Sequence, residues 1–329
     1  MVLAETICAG RAARIRQVLP KVEELLQRCR CCGRLCGVDR TSGAAGFCQT
    51  PVWVDNPRVR YAAATLHFGE EPMLVGRGGS GTVFFTNCNL RCVFCQNYQI
   101  SQQGLGTEVL CENLAGVFLD LQRRGAENIN LVTPTHCIHP ILVALEQAYE
   151  QGLALPLIYN TNGYEKRDLL RLLDGIVDVY LPDMKYMESS AARRYSSAPD
   201  YPETAKAAIL EMYRQVGPFE MNDGVARHGL IVRHLVLPDN VAGSYDLLLW
   251  LKEEGLTRVP LSLMSQYTPQ YRAREFREID RTVPQKEYID LVEYACDLGF
   301  EHVLAQGLDS QRVYLPDFSR DEPFAPSGE

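Results

Sequence analysis

No window of the 329-residue sequence approaches the roughly 18 to 20 apolar residues that a bilayer span needs, because charges or prolines interrupt the longest candidates. A signal-peptide core is missing as well. The first thirty residues run RAARIRQVLPKVEELLQR after a short start, with Arg, Lys and Glu scattered through the apolar positions, so export is not expected. Positive charge is not in surplus: the formal net charge is -8, which argues against a general binder of nucleic acid or anionic membrane, since phosphates reward clustered Lys and Arg. Repeats, collagen-like periods and disorder-type composition are also absent. What these absences leave is a soluble cytoplasmic protein with neither nucleic acid nor membrane among its expected partners. At 329 residues, with 46% hydrophobic and 22% charged, the chain is long enough for a large core. It reads as one large barrel-like domain plus an appendage, or as two domains.

Cysteine is plentiful, with 12 residues in tight groups. In a small secreted domain that number means disulfides; in a long cytoplasmic chain such clusters point to metal or redox chemistry.

The chain divides near Gly81. Residues 1-81 hold a helical pattern from Ile15 to Arg28, a Cys-rich knot from Cys29 to Cys48, and a glycine-rich stretch from Gly76 to Gly81 that marks a boundary or a tight backbone approach. Residues 82-329 alternate short aliphatic runs with helix-like segments. The runs are TVFFT (82-86), NINLVTP (128-134), LPLIYNTNG (155-163), VDVYLPDMK (177-185), LIVRHLVLP (230-238) and VPLSLMSQYTP (259-269). Nearly continuous apolar runs are those of strands covered on both faces, and the helices between them show amphipathic spacing, as at Leu169, Leu172 and Leu173. Alternation of this kind gives parallel strands joined by right-handed crossovers, and so an α/β fold with a closed or partly closed barrel. Polar residues gather at the strand ends: Thr133 to Thr135, Asn160 to Gly163, Asp183 and Lys185, and Gln266 to Thr268. In barrels that end is the active-site rim.

The segment TNCNLRCVFCQN places Cys88, Cys92 and Cys95 in a CxxxCxxC pattern just after the first such strand. A cluster of four irons held by only three protein thiolates keeps one iron open to a small chelating ligand. Zinc also accepts thiolates at this spacing, with a fourth ligand from elsewhere, and spacing alone leaves both metals open.

CNLRCVFCQN resembles the signature of the radical S-adenosylmethionine superfamily, and within it the chain is similar to the pyruvate formate-lyase activating enzyme-like group. The likeness extends over CGVDR, HFGEEP (67-72), GSGTVFFTNCNLRCVFCQNYQISQ, NLVTPTH, YNTNGYE, LPDMKY, RHLVLP and LMSQYTP. It implies a partial (β/α)6 TIM-like barrel with an N-terminal Cys-rich extension, and a 4Fe-4S cluster on Cys88, Cys92 and Cys95. It also implies S-adenosylmethionine on the open iron, cleaved reductively to a 5'-deoxyadenosyl radical that abstracts hydrogen. Position by position, Phe94 would lie beside the adenine. Thr133 and Thr135 stand where other members have a GGE-type motif for the methionine amino group. Asn160 and Asn162 resemble the DTNG motif of glycyl-radical activases with Asn for the Asp, and Asp183 and Lys185 match their DxK motif. Arg233 would pair with the cofactor carboxylate in bidentate fashion. The same likeness implies an electron donor such as flavodoxin or ferredoxin and a glycyl-radical protein as substrate; a peptide or small molecule is the alternative. A non-catalytic zinc or iron-sulfur protein is the competing class.

Cys29, Cys32, Cys36 and Cys48 form a second group with Cys31 as a spare, able to close a zinc or auxiliary iron-sulfur site completely. Cys137, in THCIHP beside His136 and His139, is a candidate hydrogen donor at the rim. Cys296 reads as packing on a helical face, while Cys8 and Cys111 carry no context. The pair Glu70-Glu71 with His67 reads as a solvated loop more readily than as a site.

Overall fold

The computed structural model describes residues 2-307, 315-320 and 322-324. Its strands are β1 (Arg58–His67), β2 (Ser80–Phe85), β3 (Thr107–Leu110), β4 (Ile129–Val132), β5 (Leu157–Thr161), β6 (Val179–Pro182), β7 (Glu220–Asn222), β8 (Val225–Leu230), β9 (Val232–Leu235), β10 (Leu261–Met264) and β11 (Val303–Ala305). One sheet has the order β3-β1-β2-β4-β5-β6-β8-β7 and the other β11-β10-β9. They are one curved surface in effect. β8 and β9 are separated by a single residue, Ile231, and a parallel bridge from Asp183 to Arg233 carries the pairing from β6 to β9. A parallel path therefore runs from β2 through β4, β5, β6, β9 and β10, the six runs read from the sequence, and β11 extends it by three residues.

Every residue of β2, β5, β6 and β10 is buried, which is why their sequences lack the polar alternation of a one-faced sheet. Helices Cys111–Arg123, Ile138–Glu150, Arg167–Leu172, Tyr201–Val216 and Ser244–Glu253 lie between successive strands and cover the outside. Leu169, Leu170 and Leu173 of the third of these segments are fully buried. Among the described pairings β11 does not reach β2, whose free side is taken instead by antiparallel β1. The barrel stays open along that seam.

The N-terminal helix Val2–Gln27 buries Ile15, Val18, Val22 and Leu25 at three- and four-residue spacing and packs on helix Ile138–Glu150. Each such side chain contributes about 1.5–3 kcal/mol when removed from water. The Cys-rich segment that follows is pinned to the barrel rim: Cys32 bridges Glu165, Lys166 donates its N–H to the Cys31 carbonyl at 3.2 Å, and Arg34 Nε donates to the Asn89 carbonyl at 2.8 Å. The glycine-rich stretch is a tight approach. A Cβ on Gly78 would stand 1.8 Å from the Gly125 carbonyl oxygen. Among the described residues no helix is long and apolar enough to cross a membrane.

Candidate active site

The three-cysteine loop leaves β2 through Asn87, whose φ of +72° turns the chain sharply. The loop is then tied on several sides. Cys88 Sγ accepts the Leu90 N–H at 3.4 Å and Asn162 Nδ2 at 3.4 Å, Cys92 Sγ accepts Ser196 Oγ at 2.9 Å, and Cys95 Sγ shares a hydrogen with Ser101 Oγ at 3.2 Å. Donors aimed at sulfur favour thiolates and tune any metal they hold. Burial pushes the Cys88 thiol up to about 11 and the Cys95 thiol up to about 12, with the Lys185 ammonium pulling both the other way. A bound cation is what keeps such buried sulfurs ionised. Three thiols from one loop, each in contact with a polar hydrogen-bonding group, fit a cluster held at three corners. Among the described residues no three Cys, His, Asp or Glu side chains are disposed to share a single metal ion.

Lys185 connects the sulfurs to a cavity of about 200 Å³ inside the barrel. Its Nζ donates to Asp183 Oδ2 at 2.7 Å, and Asp183 Oδ1 accepts Arg233 Nε at 3.0 Å. Burial opposes both charges, but the Asp183 carboxylate raises Lys185, and Lys185 with Arg233 lowers Asp183. Arg233 also donates to Asn160 Oδ1 at 2.6 Å and to Glu70 Oε2 at 3.3 Å. Asn160, Asp183, Lys185 and Arg233 all line the cavity, together with Gln96, Gln266, Glu70 and Glu71.

The other sequence-predicted residues lie elsewhere. The Phe94 ring packs edge-on against Tyr186 and Tyr267, buried in an aromatic group. Thr133 has a φ of +55°, and the Thr135 hydroxyl is buried and donates to Glu165 rather than facing the cavity. Asn162 reaches Asn89 Oδ1 at 2.6 Å as well as Cys88, so it braces the cysteine loop. Cys137 is not among the residues lining the cavity; it stands at the N-cap position of helix Ile138–Glu150, buried, with Arg40, Cys48 and Cys111 as electrostatic neighbours.

In the knot, Arg40 is almost wholly buried beside Cys29 (3.9 Å), Cys31 and Cys48. A hydrogen bond from Cys31, followed by the Arg40 charge, brings Cys29 down to about 5. Three thiols thus gather around one cation, with Cys32 and Cys36 in turn beside Cys29. Glu70 and Glu71 are the functional candidates that the sequence undersold; their position before Pro72 in HFGEEP resembled an exposed loop, and only the fold turns that loop inward.

The sequence model of the Radical SAM superfamily matches residues 82–217. An uncharacterized protein of Methanocaldococcus jannaschii is 28% identical over 282 residues, covering 83% of this chain and 75% of that protein. Among solved structures, methylornithine synthase is similar at a TM-score of 0.46 and 14% identity, covering 68% of this chain and 64% of that one. Native anSMEcpe with bound AdoMet gives 0.45 and 11%, covering 72% of this chain and 62% of its own. The chain thus spans a little under two thirds of the length of these structures.

Proposed function

We propose that the chain is a radical S-adenosylmethionine enzyme whose cluster sits on Cys88, Cys92 and Cys95. The observation that carries this reading is the position of Lys185, which faces the three sulfurs and the cavity at once and is locked there by Asp183. When bound, the cluster and S-adenosylmethionine supply one-electron cleavage of a carbon-sulfur bond and a carbon radical for hydrogen abstraction. The protein's residues do the rest. Lys185 and Arg233 are two buried cations sharing one carboxylate, Asp183, and both carry N–H donors that would meet the methionine carboxylate. Asn160, held by Arg233, presents its amide to the same space. The apolar walls Val132, Leu235 and Met264 exclude water from the reacting atoms.

The finer reading extends the sequence resemblance: a glycyl-radical protein as the hydrogen source, with a peptide or small molecule as the alternative, and a flavodoxin- or ferredoxin-type electron donor. The knot of Cys29, Cys32, Cys36 and Cys48 is read as a second site, for zinc or an auxiliary cluster, its support being the nearness of Cys32 to Cys48 and Cys29 and of Cys36 to Cys29. The test is anaerobic purification with iron and sulfide analysis, then dithionite reduction with S-adenosylmethionine and an assay for 5'-deoxyadenosine. Product is expected in proportion to loop-bound iron. A fully reconstituted sample that makes none would remove the enzymatic reading.

A further inference from the structure

The segment from His67 to Pro72 folds into the lumen at the end of the barrel opposite the cysteine loop, because β1 runs antiparallel to β2 and delivers it there. Glu70 and Glu71 border both the central cavity and a cleft of about 780 Å³ that opens along the seam between this segment and β11. The charges in this space do not balance: Asp183, Glu70 and Glu71 face only Lys185 and Arg233. Asp183 uses both oxygens on those two cations, and Glu70 uses one oxygen on Arg233 and the other on Asn130 Nδ2 at 3.2 Å. Glu71 carries the surplus. It is 8% exposed and bonds Ser262, yet among the described residues its Oε2 has no hydrogen-bond partner, and Gln306 Oε1, lining the same cavity and cleft, is a second buried acceptor without one. A carboxylate left this way costs several kcal/mol unless a partner arrives. Burial also raises both glutamates, against the opposing pull of Arg233.

Two unfilled acceptors beside neighbouring carboxylates define the missing partner: a group that carries N–H donors, and a cation, which would hold Glu71 ionised against its burial. We propose that Glu71 and Gln306 bind the protonated primary amine of the substrate, entering through the seam. The inference rests on the proposed function for the word substrate, but the binding site does not.

The test uses the full chain and n-propylammonium as probe, with n-propanol as its uncharged counterpart, in ligand-observed saturation-transfer NMR at pH 7.5. Binding of propylammonium but not propanol is expected. Glu71→Gln, of the same shape without the charge, should weaken it at least about tenfold, the loss of one charge-assisted hydrogen bond of about 1.5 kcal/mol. Equal saturation by both probes, or no propylammonium signal, overturns the proposal. Because that contrast needs only the wild-type chain, a misfolded variant does not rescue it, and Gln306→Leu gives an independent second position with the same expected loss. Failure of 5'-deoxyadenosine formation in a separate assay would strike the proposed function and leave the amine result standing.

Discussion

Lys185 Nζ stands 2.7 Å from Asp183 Oδ2, two residues away along the strand end that also pairs with β9. Neither side chain holds its place alone. Asp183 lies on the parallel bridge to Arg233, and the Met184 N–H donates to the Arg233 carbonyl at 2.8 Å. Gly163, at φ +77°, lets the preceding rim turn pass so close that a Cβ there would lie 2.4 Å from the Asp183 carbonyl. Backbone packing thus fixes where the two cations meet their shared carboxylate. A substitution of Asp183 removes that common partner without touching a cysteine.

Asp183→Ala is therefore expected to weaken S-adenosylmethionine binding at least about tenfold, since two buried cations lose their fixed geometry at about 1.5–3 kcal/mol per charge-assisted bond. Iron per chain should not change. Anaerobic titration calorimetry with matched iron analysis checks both halves, and equal affinity refutes the assignment.

The two cysteine groups separate by a similar logic. Cys92, buried with Ser196 Oγ at 2.9 Å, is the proposed corner of the loop site, and Cys92→Ala should abolish cluster binding and cofactor cleavage together. Replacing Cys29 and Cys32 with Ala removes half of the knot's four expected ligands. It should leave cleavage at least partly intact while lowering thermal stability, because Cys32 is where the knot bridges the rim. Swapped outcomes would mean the two sites are assigned backwards.

How much of this was legible depends on sequence distance. The six parallel runs were readable because each is apolar on both faces, and the cysteine loop because its ligands lie within eight positions of one another. Of the cavity residues, Asn160, Asp183 and Lys185 were visible as polar residues at strand ends, and Arg233 through the family resemblance. Thr135, Asn162 and Cys137 do not line the cavity. They occupy the same rim in sequence, but Thr135 and Cys137 lie in a short 3-10 turn past the end of β4, where the Thr135 hydroxyl meets Glu165 and Cys137 stands at the start of helix Ile138–Glu150, and Asn162 turns to Asn89 and Cys88. Glu70 and Glu71 were hidden for the opposite reason. A Glu-Glu-Pro loop reads as solvated, and only the antiparallel return of β1 buries it.

Asn162 is expected to act through the loop it braces. Asn162→Ala removes the 2.6 Å bond to Asn89 and the 3.4 Å donor to Cys88 Sγ, costing about 1–3 kcal/mol of stability in denaturant titration. Loss of an N–H donor to a cluster sulfur should shift the cluster potential to a more negative value with iron content unchanged. An unmoved potential in anaerobic redox titration would mean that Asn162 only packs.

His234 supplies a pH signature far from the cysteines in its bonding. Its Nδ1–H donates to the Met184 carbonyl at 2.6 Å and its Nε2 accepts from Ser244 Oγ at 2.8 Å, so the ring is held neutral. Burial brings it down to about 4, the Met184 carbonyl working weakly against that. With a folded value below the unfolded one, the unfolded chain takes up the proton first. The stability present above pH 6.5 is then lost as pH falls toward 4, at about 1.4 kcal/mol per unit for this one group. His234→Asn carries no ring to protonate and should flatten the slope of unfolding free energy between pH 6.5 and 5 by that amount relative to wild type, at a lower overall stability. Parallel slopes in urea titrations of the two proteins would show that His234 titrates normally in the fold.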